Sequence, residues 1–263
     1  MISPGARSIA LLGGAILSSG LCVGGCVVRR PVVPMPVEVR ATAAAEAPGC
    51  VVVLLPGRWN RPEAFFEAGF DRAAADRGLP LVMLAPDAHL GYYRSRSVLD
   101  RLGADVFARA EVQAADHLTV VGVSLGGLGG VLWTREGSRL PDQLVLLAPF
   151  LGPPVIAAEV QAAGGVAAWR RPATFGDPDF RKIWAWFQDW DEAGRRPPMF
   201  LSWGQNDDLA PALAPLADWL GPEATHETPG GHDWTAWRAG WEAFLASGAL
   251  DHCRKTSNPN GDV

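Results

Sequence analysis

Short apolar runs alternate along this chain with longer amphipathic stretches, and that rhythm sets the expected fold. Val51–Leu55, Leu81–Ala85, Leu118–Val123, Gln143–Leu147, Met199–Trp203 and Thr225–Thr228 read as strands, because they are brief, apolar or β-branched, and bounded by turn residues. Pro62–Arg77, Val98–Ala115, Leu125–Arg135, Ala210–Leu220 and Thr235–Ala246 carry the longer spacing of helices. Strand and helix in alternation predict an α/β domain: a mainly parallel central sheet of about six strands, flanked by helices on both faces. Crossovers in such a sheet are right-handed, so sites gather beyond the carboxyl ends of the strands.

Two segments break the rhythm. Phe150–Arg196 is too long for a loop and holds Trp169, Trp184, Trp186 and Trp190 with Phe175, Phe180 and Phe187. It reads as a helical cap over residues 150–196, whose aromatics either pack it onto the core or meet a ligand. Pro31–Pro48 is rich in Pro, Ala and Val with little periodicity, and reads as a tether with room for one edge strand at Val37–Val39.

Ahead of it, Arg7 precedes an uncharged stretch from Ser8 to Val28, which Arg29 and Arg30 close. This has the form of an export leader over residues 1–30. Val23-Gly24-Gly25-Cys26 resembles a bacterial lipoprotein cleavage box, which makes Cys26 the lipidation candidate. An ordinary signal peptide and an uncleaved anchor are the alternatives, since Ile9–Val28 approaches the length that spans a bilayer. The expected division is therefore leader 1–30, tether 31–48, domain 49–250 and flexible tail 251–263. The expected location is the bacterial cell envelope, facing the periplasm and held at the membrane.

Composition narrows the function classes. A chain of 263 residues with 48% hydrophobic content buries one large core without needing a second domain. A net charge of −5 with scattered Lys and Arg offers no basic surface, so nucleic acid is not an expected partner. Five scattered histidines and no Cys-x-x-Cys give no metal-site spacing, and no cofactor is expected. Of the four cysteines, Cys22 and Cys26 fall in the leader. Cys50 and Cys253 remain for the domain, either paired or as free thiols.

The candidate chemistry starts at Gly122-Val123-Ser124-Leu125-Gly126, which follows the strand Leu118–Val123 and opens a helix. A strand that turns at once into a helix strains the residue at the turn, and flanking glycines remove the Cβ atoms that would collide. A Gly-rich turn with a bystander serine has the same letters, so the partners decide. A serine hydroxyl needs a base to take its proton and a third group to orient the base. Asp207 emerges after Met199–Trp203 in Gly204-Gln205-Asn206-Asp207-Asp208, with Asp208 the alternative acid or a helix N-cap. His232 lies after the last strand in Gly230-Gly231-His232-Asp233-Trp234, where Trp234 and Trp237 can brace it, while His226 and His117 read as structural. The backbone N–H groups of Leu125 and Arg58 are the expected oxyanion donors, the latter from Leu55-Pro56-Gly57-Arg58-Trp59. Trp59, His89, Tyr92 and Trp234 are candidate pocket residues, with the loop carrying His89 and Tyr92 equally readable as polar surface.

From about Cys50 to Leu245 the chain resembles the α/β-hydrolase superfamily, in its esterase-type members. Leu55-Pro56-Gly57 stands where many members carry His-Gly, Gly122–Gly126 looks like the nucleophile elbow, and Gly204–Pro211 and Gly230–Trp234 are similar to the acid and histidine loops. Two departures stand out: proline replaces the usual histidine at position 56, and there is little room before Cys50 for the first two strands of an eight-stranded sheet. The resemblance implies a serine hydrolase that cleaves small-molecule carboxylic esters through an acyl-enzyme, with Ser124, Asp207 and His232 as its triad. Thioester, amide or acyl-transfer chemistry would use the same residues, and a non-catalytic envelope binding module is the reading from another class.

Overall fold

The computed structural model describes residues 28–42, 49–194 and 196–254. Residues 1–27 of the leader, Cys22 and Cys26 among them, lie outside the described residues.

Seven strands form one sheet in the order β1-β3-β2-β4-β5-β6-β7. They are β1 (Val37–Ala41), β2 (Cys50–Leu55), β3 (Leu81–Pro86), β4 (His117–Val123), β5 (Gln143–Leu147), β6 (Met199–Gly204) and β7 (Thr225–Thr228). Every pairing is parallel except β1 with β3. The helices are α1 (Glu63–Glu67), α2 (Phe70–Ala75), α3 (Leu90–Arg94), α4 (Val98–Leu102), α5 (Ala110–Gln113), α6 (Leu125–Glu136), α7 (Pro154–Ala162), α8 (Arg181–Glu192), α9 (Ala210–Leu220) and α10 (Trp234–Ala246).

Period-two geometry divides the core. Val51, Val53 and Leu55 of β2 join Leu118, Val120, Leu144 and Leu146 on one face, beneath α4, α6, α8 and α9. Val52 and Leu54 join Val121, Val123, Val145 and Leu147 on the other, with α1, α2 and α10. Strands buried on both faces need continuous apolar sequence, which is why these runs do not alternate with polar residues. Each large apolar side chain so buried contributes about 1.5–3 kcal/mol.

The structure extends or departs from expectation in five places, each for a local reason. The seventh strand lies in the expected tether, where Val37–Val39 had room for an edge strand: β1 pairs with β3 and extends to Ala41, although its charged residues break any apolar run. Arg40 on this edge pairs with Glu38 and lies 4.2 Å over the Phe66 ring. Charged side chains on an edge strand discourage further pairing. The chain before β1 is also docked, so packing on the domain begins well ahead of Gly49. Met35 is buried, the Tyr92 hydroxyl accepts the Val32 N–H at 3.0 Å and donates to its carbonyl at 2.8 Å, and Arg29 pairs with Asp87 at 2.9 Å.

The expected helix over Pro62–Arg77 is two helices, because Gly69 at φ 81° ends the first and opens the second at a new angle. Val98–Ala115 is likewise broken, by a π-helical turn at Gly103–Phe107 where Phe107 stacks on Trp133 at 3.8 Å. At the other end, Cys253 lies in a short 3₁₀ turn and is bonded to Cys50, so the domain reaches beyond residue 250. Among the described residues no helix is long and apolar enough to cross a membrane.

The segment 150–196 contributes α7 and α8, and most of its aromatics face inward. Trp169, Phe180, Trp184, Phe187 and Trp190 are buried in the same cluster as Leu213 and Leu216 of α9. Packing therefore accounts for most of the aromatic content of this cap.

Candidate active site

Ser124 sits between β4 and α6 with φ 51° and ψ −115°, a conformation outside the ordinary wells of an L-residue. The surrounding structure enforces it. Its N–H donates to the Leu147 carbonyl at 3.0 Å, and its own carbonyl accepts from Phe150 at 2.9 Å and from Gly127 at 2.9 Å. The flanking glycines are required by close approach: a Cβ at Gly122 would lie 2.6 Å from the Gly127 Cα, and one at Gly126 would overlap the Leu55 carbonyl. Strain held this way costs of order 1–3 kcal/mol and persists only where neighbours over-determine it.

Two further strand ends converge on this serine. β6 closes with Gly204, which a side chain would drive into the backbone of Gly230 and Gly231, so the acid and histidine loops touch. The Asn206 N–H donates to the Gly230 carbonyl at 2.8 Å and the Gln205 N–H to Thr228 at 2.8 Å, tying the two loops together. Asp207, whose side chain is fully buried, lies 2.8 Å from His232 Nδ1 through Oδ2. Its other oxygen accepts the Leu209 N–H at 2.8 Å, which fixes the carboxylate plane. Asp208 is exposed, and α9 has no side-chain cap.

His232 Nε2 lies 2.9 Å from Ser124 Oγ. The imidazole meets the Trp237 ring edge-on at 5.1 Å, and Trp237 in turn packs against Trp234 at 5.1 Å. Asp233 anchors the histidine loop, with Oδ1 accepting from Thr235 and Ala236 and Oδ2 from Gly231. Those backbone donors, Ala236 foremost, hold the Asp233 carboxyl below the usual carboxylate range. The ring nitrogens of His232 and the hydroxyl of Ser124 thus form a continuous line to a buried carboxylate.

Leu125 is the first residue of α6, where a helix leaves its N–H without an intrahelical acceptor. The β2–α1 turn approaches the same place, since a Cβ at Gly57 would come within 3.5 Å of the Ser124 Cβ. Arg58 and Trp59 follow on this turn, both exposed, with the guanidinium 5.2 Å from the indole centroid.

The other pocket candidates take different places. His89 is buried, and its Nδ1 caps α3 by accepting the Gly91 N–H at 3.0 Å. Burial, and then Arg29 nearby, lowers its pKa. Tyr92 is buried and engaged with Val32. Tyr92 holds the segment before β1 to the domain, and His89 packs its ring against Tyr92 at 4.7 Å. Trp234 packs edge-on against Phe65 and Phe70, at 5.2 and 6.1 Å, and supports the histidine loop from below. Sequence reasoning missed a small recess under the cap, lined by Phe150, Trp184 and Leu209 among others. Only the cap's aromatic content hinted at it.

Cys50 and Cys253, left open as a pair or as free thiols, form a disulfide. His252 lies beside them, but both sulfurs are committed to each other.

Comparison of the sequence with protein-family models and with curated proteins gives no match. Solved structures do match. Est1E from Butyrivibrio proteoclasticus aligns with a TM-score of 0.54 at 15% identity, covering 81% of this chain and 94% of that one. The S-formylglutathione hydrolase FrmB of Staphylococcus aureus aligns at TM-score 0.50 and 15% identity, covering 78% and 82%. FphF, a fluorophosphonate-binding serine hydrolase of Staphylococcus aureus, aligns at TM-score 0.50 and 13% identity, covering 84% and 99%. With a parallel sheet, a strained serine at the β4–α6 turn and acid and histidine loops after β6 and β7, this chain has the α/β-hydrolase fold.

Proposed function

We propose that this protein is a serine hydrolase of carboxylic esters. The observation that carries the reading is the unbroken relay from Ser124 Oγ to His232 Nε2 at 2.9 Å and from His232 Nδ1 to the buried Asp207 at 2.8 Å. In this mechanism Ser124 Oγ bonds to the acyl carbon while His232 Nε2 takes its proton, and Asp207 holds the imidazole in the required tautomer. Negative charge collects on the former carbonyl oxygen and is met by the N–H groups of Leu125 and Arg58, each such donor contributing about 3 kcal/mol. The tetrahedral species collapses, the carbon–oxygen bond to the alcohol breaks, and His232 gives its proton to the leaving oxygen. Water repeats the sequence on the acyl-serine, releasing the acid and restoring Ser124. No metal or cofactor enters this scheme.

The structural neighbours described as hydrolases support the reading by fold, and the relay supports it by geometry. A fluorophosphonate probe is expected to label the wild type and not Ser124→Ala, with p-nitrophenyl acetate hydrolysis lost in the same variant. A folded wild type that neither takes the probe nor turns over esters contradicts the proposal and favours a binding module of this fold.

The proposed setting is the bacterial envelope, the protein exported by the leader and held at the membrane through Cys26. The Cys50–Cys253 bridge supports it, because disulfides persist in oxidising compartments. Fractionation of wild type and Cys26→Ala tests it: the wild type is expected with membranes and the variant released, and equal partition of both contradicts lipidation.

A further inference from the structure

The segment before β1 leaves no slack between the domain and the leader. Val28 packs against the core cluster that holds Tyr92 and Met35. Arg29 reaches both oxygens of Asp87, at 3.0 and 2.9 Å, and its carbonyl rests on Gly91, where a side chain would collide with it. The Met35 N–H donates to Asp105 at 2.8 Å, and the Asp87 N–H donates to the Pro36 carbonyl at 2.8 Å. Upstream, Val27 alone separates Val28 from Cys26. Two residue steps span about 7 Å at full extension, so an anchor at Cys26 holds the docked segment itself at the membrane. An uncleaved anchor ending at Val28 would leave even less room.

Where the chain docks decides which side of the domain meets the bilayer. Asp87 and Gly91 follow the carboxyl end of β3. Leu84 of β3 and Val120 of β4 both pair with Val53 of β2, so Asp87 is level with Val123, the neighbour of Ser124. The two positions are two strand spacings apart, about 10 Å across the sheet. β2 runs between them and ends in the turn that carries Arg58 and Trp59. The docked segment and the serine therefore share one end of the sheet.

That end offers the side chains a lipid surface takes. Val32 and Val33 are 55% and 68% exposed, and Trp59 is 55% exposed. Tryptophan favours the membrane–water boundary, where its ring meets the acyl region and its N–H meets the headgroups. Arg30 and Arg58 are exposed beside them in the chain, and cationic side chains at a bilayer attract anionic headgroups.

We infer that the rim from Val32 and Val33 to Trp59 rests on the bilayer that holds the chain, with the serine's end of the domain turned toward the membrane. The inference rests on the proposed membrane attachment and goes beyond it by naming the face in contact.

The test places a photoreactive side chain at one position at a time in the full chain: Val33→p-benzoylphenylalanine, Trp59→p-benzoylphenylalanine, and Leu140→p-benzoylphenylalanine as the control. Leu140 is exposed and precedes β5, at the opposite end of the sheet. Membranes isolated from expressing bacteria are irradiated, and lipid adducts are counted by peptide mass spectrometry. Adducts at positions 33 and 59 are expected at least fivefold above those at 140. Equal yields at the three positions, or adducts to protein in place of lipid at 33 and 59, overturn the inference. Hydroxyl-radical footprinting gives a reading without substitution at the rim. Oxidation of Trp59 should fall at least threefold in membrane-bound wild type relative to released Cys26→Ala, with Leu140 unchanged, and equal oxidation of Trp59 in both overturns the inference. A wild type found only in the soluble fraction is a different failure, since it removes membrane attachment, and the inference with it, before any face is compared.

Discussion

The two ends of the same strands are built for opposite purposes. At their carboxyl ends, β4, β6 and β7 hand over to three loops that hold Ser124, Asp207 and His232 within hydrogen-bonding reach, with a serine in strained backbone and a half-exposed imidazole. At the amino ends, Cys50 opens β2 in register with His117 of β4, and a covalent bond ties that strand to Cys253, 203 residues away. His252 packs its ring 4.4 Å from His117 over this bridge, and burial lowers the His117 pKa. One end concentrates strain and exposed polar atoms, which cost stability. The other end closes the longest loop in the domain. Changes at the two ends are therefore expected to separate activity from stability.

The largest effect belongs to the carboxyl end. Asp207→Asn should lower kcat/KM for p-nitrophenyl acetate by about 10⁴-fold, because it leaves the imidazole in the wrong tautomer. Asp208→Asn should stay within about twofold, since its carboxylate is exposed and away from the relay. A larger loss at Asp208 would reverse the assignment of the acid.

Next in size is the bridge. Replacing Cys50 and Cys253 together by alanine should cost about 2–5 kcal/mol in denaturant unfolding. Turnover at a temperature where the variant remains folded should change by less than about twofold. An equal loss of activity would show that the two ends are not separable.

The smallest expected effect lies at the carboxyl end, in the loop that carries His232. Asp233→Ala removes the side chain that caps α10 and accepts from Thr235, Ala236 and Gly231, at a cost of about 1 kcal/mol. The folded-state pKa of Asp233 is depressed from an ordinary value of 3.8, so its contribution is present above that value and is lost as pH falls through the folded pKa. Thermal melts from pH 7 downward should therefore converge for wild type and variant in acid. A constant gap across the range would contradict the carboxylate's role.

Legibility in the sequence followed the same physics. Five of the parallel strands were readable because burial on both faces demands unbroken apolar runs such as Leu118–Val123, whereas β7 is exposed at His226 and Glu227 and was read from its β-branched threonines and turn borders. β1 was legible only as room for an edge strand at Val37–Val39, because an edge strand has one open side and its Glu38 and Arg40 look like loop residues. The meeting of Ser124, Asp207 and His232 was anticipated from strand ends and glycines, features local enough to be seen in a few letters each. The bonds of His89 and Tyr92, a helix cap and an anchor for the segment before β1, were not legible, because polar rings near a strand end suit a pocket and a capped, docked segment equally well. The recess walled by Phe150, Trp184 and Leu209 joins three distant segments, and only the folded cap brings them together.

The most direct measurement is intact-protein and peptide mass spectrometry of the wild type quenched during turnover of p-nitrophenyl acetate. The account predicts one added acetyl group on the peptide containing Ser124, absent from Ser124→Ala. Sustained hydrolysis with the acetyl group on another residue, or undiminished turnover by Ser124→Ala, would contradict it.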